Sequence, residues 1–302
     1  MDGKNDRSAK KDQLAREVLR FSRNTLLVNL RFLDLALGSL DYAAVENGTL
    51  LTDGTHIFYQ AGHILKTYKK SRETSARDYF HMILHCIFRH MYVSPAITSR
   101  LWDLACDIAV ENMITELGVK GTAAPREKRQ AAYLNEIKNK QKQVTAERIY
   151  AYLRGKNWKE EKLAAMEDAF GADDHSIWYL GEEEKQRQLG ISADAGSSLG
   201  QESTQADGEG KSTEGESAYG HGFSPSLREE FWKKVSGRMQ VELETFGKMR
   251  GMKPGALTQN LAAVNRERYD YTAFLKKFAV LGEAMRINDD EYDYIFYTYG
   301  LR

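Results

Sequence analysis

The 302-residue chain has only 2 cysteines and 4 prolines, a formal net charge of zero, and no long uncharged apolar run. Two cysteines cannot staple a chain of this length. Cys86 and Cys106 each sit among apolar residues at helical spacing, so they read as buried thiols of a reducing compartment, and a cytoplasmic location is expected. Lys+Arg 43 balances Asp+Glu 43, so no bulk field draws the chain onto nucleic acid or an anionic membrane. The opening MDGKNDRSAKKDQ lacks the apolar stretch of a secretory signal, and no window approaches the ~18 apolar residues that span a bilayer. Neither nucleic acid nor membrane is an expected partner. The basic residues Lys120, Arg126, Lys128, Arg129, Lys138, Lys140 and Lys142 are broken up by Glu127 and Glu136 and lack interleaved aromatics, so they read as a solvated helix surface.

Helical periodicity dominates what is present. Leu14, Val18, Phe21, Leu26, Leu30, Leu33 and Leu37 predict one long amphipathic helix from about Lys11 to Leu40. Asp53-Gly54 between two β-prone runs predicts a hairpin over residues 50–59 and a small sheet. Phe80, Ile83, Leu84, Ile87 and Phe88 predict a helix from about Ser75 to Met91, stopped by Ser94-Pro95. Leu101, Leu104, Ile108, Met113 and Ile114 predict a second helix, ending before Gly118. Further helices are expected at Arg126–Lys142, Ala146–Leu153, Lys159–Phe170, around Phe231–Leu243 and around Tyr271–Leu281, with an aromatic, strand-like run at Tyr292–Tyr299. The fold class is mainly α with a small β-hairpin or sheet.

The chemistry concentrates in the first helical pair. His81 and His85, four residues apart, stand on one helix face one turn apart and can offer two imidazole nitrogens to one ion. Asp103, Asp107 and Glu111 form a carboxylate stripe on the next helix. A turn centred near Ala96 sets His85 opposite Asp107 and His81 opposite Glu111. Two imidazoles and one or two carboxylates are the ligand set of a catalytic zinc site, with Asp103 or the unused acid orienting an imidazole. The alternative is a structural network of histidines and acids without an ion. Asp107, however, is embedded in LACDIA, where an unpaired carboxylate is costly. His90 lies about 140° around an ideal helix from His85 and joins only if the helix unwinds. Asp173-Asp174-His175 before Trp178 reads as a loop whose aspartate caps a short helix, or as a loop that folds His175 back over the cleft.

The runs YFHMILHCIFRH and LWDLACDIAVEN, with the TDG hairpin, DDHSIW and YDYTAFLKKFAV, resemble the metallopeptidase-type domain that precedes a VWA-like domain in a family of bacterial proteins. Relatives commonly sit beside MoxR-type AAA+ ATPases. The resemblance implies a zincin-like fold in which His81, His85 and Asp107 bind Zn2+, a protein or peptide substrate, and a MoxR-type ATPase as partner. It implies a zincin-like core at 1–120 and a VWA-like domain beyond the chain, while pattern and composition read a helical insertion at 121–185, a flexible Gly/Ser/Glu-rich linker at 186–225 and a helical segment at 226–302 between them. One position departs from the zincin pattern: Met82 stands where the water-activating glutamate of HExxH belongs. Glu111 is then the acid left to act as base. Two functions follow, a zinc metallopeptidase or a metal-stabilised, non-catalytic scaffold for a protein partner.

Overall fold

The structure is a computed structural model that describes residues 2–92, 97–189, 224–250 and 255–265. The expected linker lies mostly outside these residues, as do the expected helix around Tyr271–Leu281 and the aromatic run at Tyr292–Tyr299. The fold is mainly α with one three-stranded sheet.

The first helix, α1 (Asp2–Asn29), is shorter at its C-terminal end than its periodicity predicts. Leu30 leaves helical geometry, and a 3-10 turn at Arg31–Leu33 and the short α2 (Asp34–Gly38) carry the pattern on in a new direction. The sheet comprises β1 (Asp41–Ala44), β2 (Leu50–Thr52) and β3 (His56–Tyr59) in the order β1-β3-β2. β2 and β3 form the predicted hairpin, with Leu50 opposite Tyr59, while β1 adds in parallel to β3. The turn needs Gly54 twice over. Its φ is +85°, and a Cβ there would fall 2.9 Å from Met91 Sδ and 3.0 Å from Tyr92 Oη.

After α3 (Ala61–Lys70) come the two helices that matter most, α4 (Arg72–Ile87) and α5 (Ser99–Leu117). Ser71 Oγ accepts the Thr74 N–H at 3.1 Å and starts α4 earlier than expected. The helix also ends earlier, well before Pro95: Arg89 takes a left-handed φ of 56° and turns the chain back. Gly118, at φ 55°, closes α5 as predicted. The peripheral helices α6 (Glu127–Lys140), α7 (Ala146–Arg154) and α8 (Glu160–Phe170) follow their predicted spans closely. A 3-10 turn at Ser176–Tyr179, α9 (Glu182–Leu189), α10 (Pro225–Arg250) and α11 (Gly255–Asn265) complete the described chain.

Two apolar cores meet on α5. Val110, Met113 and Ile114 face a core built with α1, α4, the sheet, α10 and α11. Trp102, Leu104, Ala105, Cys106, Ile108 and Ala109 face a second core under α6, α7 and α8. Both cysteines are buried and unpaired, as the sequence predicts. With an apolar partner on each side, α5 is held rigidly, and so is its carboxylate stripe.

Gly54→Ala is expected to destabilise the fold by about 1–3 kcal/mol, read as a lower denaturant midpoint at unchanged slope. An unchanged midpoint would contradict the packing described for the turn.

Candidate metal centre

α4 and α5 run antiparallel in the register that a turn near Ala96 predicts. Arg77 Nη2 donates to Thr115 Oγ1 at 2.9 Å, and His81 Nδ1 lies 2.9 Å from Glu111 Oε1. His85 Nε2 lies 3.4 Å from Asp107 Oδ1, and Trp102 Nε1 donates to the His90 carbonyl at 3.0 Å. A third segment, the loop after α8, crosses this pair and inserts Asp173 and His175.

The ligand atoms of His81, His85, Asp107, Asp173 and His175 all lie within 4.8 Å of one another. Asp107 Oδ1 is 3.1 Å from His81 Nε2 and 3.4 Å from His175 Nε2. Asp173 Oδ1 is 3.3 Å from His81 Nε2 and 3.0 Å from His175 Nε2. The Nε2 atoms of His81 and His85 face each other at 2.8 Å. Each imidazole thus turns Nε2 inward and Nδ1 outward. The outer neighbours are Glu111 for His81, His90 Nδ1 at 3.0 Å for His85, and Asp103 Oδ1 at 3.5 Å for His175. An outer acceptor fixes the tautomer that leaves the Nε2 lone pair directed at the cluster.

The electrostatics follow from this crowding. Burial opposes charge on His81, but Asp173, Asp107 and Glu111 outweigh it and hold its pKa well above the ordinary value. His175 is raised for the same reason, against burial, by Asp173 and Asp107. Burial dominates at His85, helped by the neighbouring histidines, and lowers it well below its ordinary value. His90 is pushed down to about 3, chiefly by burial. It is therefore neutral, and the tautomer protonated on Nε2 accepts the Nδ1–H of His85. Burial raises Asp107, whereas Asp173 is held well below the carboxylate range against burial by His175, His85 and His81.

A divalent cation fits these residues. Three Nε2 atoms converge with two carboxylates, a cation taking the place of the protons that the acids hold on His81 and His175, and Asp173 Oδ2 is buried with no hydrogen-bond partner among the described residues. Anionic oxygen in that position calls for positive charge.

Glu111 is not placed to act as a base, which corrects that sequence expectation. Its Oε1 accepts from Arg126 Nη2 at 2.9 Å as well as facing His81, and its Oε2 accepts from Arg77 Nε at 2.9 Å and Gln130 Nε2 at 3.0 Å. Burial works against its charge, but Arg126, His81 and Arg77 prevail and keep it ionised far below its ordinary pKa of 4.5. It is a positioning group for His81. Arg126, expected on a solvated surface, instead keeps only 11% side-chain exposure between Glu111 and Asp78, and donates to Asp78 Oδ1 at 2.6 Å. Met82 is wholly buried in the core.

Of the other expected residues, His90 reaches the far side of His85 because α4 ends at Ile87. Asp103 contacts His175 and accepts a hydrogen bond from Tyr179 Oη. From the sequence Asp173 reads as part of a capping loop and not as a ligand. Its neighbour Asp174 does cap the 3-10 turn, accepting the Ser176 N–H at 2.8 Å, while Asp173 points into the cluster. The one signal available was the Asp-x-His spacing, which lets both side chains reach the same point from an extended loop.

A fold mainly of helices around a buried histidine and aspartate cluster defines the class as a candidate metalloprotein. The model of the family described as "Putative metallopeptidase domain" matches residues 25–287, and the chain belongs to that family. Comparison with curated proteins and with solved structures returns no match. Among the described residues no helix is long and apolar enough to cross a membrane.

Glu111→Gln is expected to cost about 1–3 kcal/mol, because Arg77 and Arg126 lose their shared carboxylate but keep Glu127 and Asp78 as partners. Since the folded pKa of Glu111 lies below its unfolded value, its contribution is complete above about pH 4.5 and lost as pH falls toward the folded value. The variant should therefore lose less stability than the parent on acidification below that point. Parallel acid limbs in chemical denaturation would contradict the assignment.

Proposed function

We propose that the chain binds one Zn2+ ion through His81, His85 and Asp107, with Asp173 and His175 completing the shell, and that it hydrolyses peptide bonds. The observation that carries this reading is the convergence of five donors from three chain segments, with every imidazole fixed by an outer group. Three nitrogens and two oxygens suit zinc, with iron or manganese as outcomes that metal analysis separates. When bound, the ion supplies a polarised water and Lewis acidity toward a carbonyl.

The chain's own residues do the rest. Glu111, His90 and Asp103 orient the three imidazoles. Arg77 and Arg126 keep Glu111 anionic. Proton uptake falls to Asp103, because Met82 is apolar and Glu111 is fully engaged. Its side chain, 29% exposed, is the most solvent-accessible of the acids around the cluster. The substrate class is an extended protein or peptide, and an AAA+ ATPase of the MoxR type is the proposed partner in a larger VWA-containing protein.

A second reading is favoured by Met82 and by the depth of the cluster, where Asp107 keeps only 9% side-chain exposure. In it the ion only stabilises a scaffold that presents a surface to its partner.

His85→Ala and Asp107→Ala are each expected to abolish stoichiometric zinc in the purified protein, measured by elemental analysis. One equivalent of zinc retained in both variants would refute the ligand set. Asp103→Asn is expected to keep its zinc and lower turnover of an unfolded protein substrate by about 10²- to 10⁴-fold. Absence of cleavage by the zinc-loaded protein, with and without its ATPase, would establish the scaffold reading instead.

A further inference from the structure

The segment from Asp173 to Tyr179 occupies two places that a peptide substrate would need. The first is the sheet. β2 is an edge strand, along which an extended peptide can pair. Its carbonyls that face away from β3 are already taken: the Asp174 N–H donates to Leu50 O at 2.8 Å, and Trp178 Nε1 donates to Thr52 O at 3.0 Å. The second is the cluster itself, into which the same segment sends Asp173 Oδ1 and His175 Nε2. Without them, His81, His85 and Asp107 remain. Two imidazoles and a carboxylate are the protein ligands of an open catalytic site, whereas five protein donors leave a zinc ion no vacancy.

We propose that residues 173–179 form an internal latch that closes the centre. Its withdrawal opens coordination positions and frees the β2 edge for an extended peptide, which would donate backbone N–H groups to Leu50 and Thr52. The latch rests on the reading that the cluster holds an ion. Ile177 and Trp178 anchor it in the main core, and polar and ring contacts fasten the rest. The His175 ring stacks on Trp178 at 3.9 Å between centroids, and Tyr179 Oη donates to Asp103. Just beyond, Glu182 at the start of α9 accepts from Arg228 of α10 at 2.7 Å. This ion pair ties α10 to the chain just after the segment that covers the centre. Release also frees Asp103 from Tyr179 and His175, leaving it able to accept a proton.

The test uses cobalt as a spectroscopic substitute for zinc and azide as a small ligand for open positions. Wild type is expected to bind one Co2+ with the weak visible absorption of a five-coordinate ion. Asp173→Ala combined with His175→Ala is expected to keep one Co2+, give the stronger absorption of a four-coordinate ion, and bind azide more tightly. A latch closed about nine-tenths of the time taxes ligand affinity about tenfold, so the gain should be at least of that order. Cobalt bound by wild type but lost from the double variant would make Asp173 and His175 permanent ligands and overturn the latch. No cobalt in wild type would instead overturn the metal reading. Tyr179→Phe, a milder change, is expected to retain cobalt and speed hydrogen exchange of the Asp174 and Trp178 amides; unchanged exchange would also overturn the latch.

Discussion

Placing imidazoles and carboxylates at one buried point is a problem before it is a function. Each group loses its hydration on burial, and like groups brought within hydrogen-bond distance of one another repel unless protons or a cation are shared among them. In this chain the demand is met by geometry that nothing local could supply. α4 and α5 must run antiparallel in one register, the loop after α8 must cross them, and each imidazole must present the same nitrogen. The two apolar cores on either side of α5 hold that register, so burial of Trp102, Ile108, Met113 and their neighbours stabilises the site as directly as any hydrogen bond within it.

The outer groups show how far the arrangement extends. Glu111 faces His81, and Arg77, Arg126 and Gln130 all converge on Glu111. Such a buried network is unfavourable in fragments and favourable only when every member is present, which makes it a device for fixing geometry more than for adding stability. The same reasoning separates Glu111 from catalysis. A carboxylate with both oxygens engaged by cations and amides is a poor proton acceptor, whatever its distance from the centre.

Much of this was legible in the residues. His81 and His85 four apart, Asp107 inside an apolar run, and a short connection between two helices were enough to place the imidazoles against the acid. The hairpin followed from Asp53-Gly54. What was not legible depended on contacts between distant segments. Asp173 and His175 arrive from beyond three further helices, and Asp174 beside them does behave as the cap that local chemistry predicts. Arg126 sits in a basic stretch whose other members are ordinary surface residues, and only the fold distinguishes it. β1, Asp-Tyr-Ala-Ala, has little intrinsic strand preference and exists because β3 offers it an edge. The early end of α4 turns on one left-handed residue, Arg89, which no periodicity reveals.

The chain belongs to the family described as "Putative metallopeptidase domain", and the cluster supplies donors of the kind that a metal ion needs. The central claim is that a metal ion sits among these side chains with imidazole as its main ligand. X-ray absorption at the zinc edge of the protein as purified tests it directly. The account predicts one equivalent of zinc with nitrogen and oxygen neighbours only, at about 2.0–2.2 Å, and the outer-shell scattering of three imidazoles. Sulfur in the first shell, or no imidazole scattering, would contradict it.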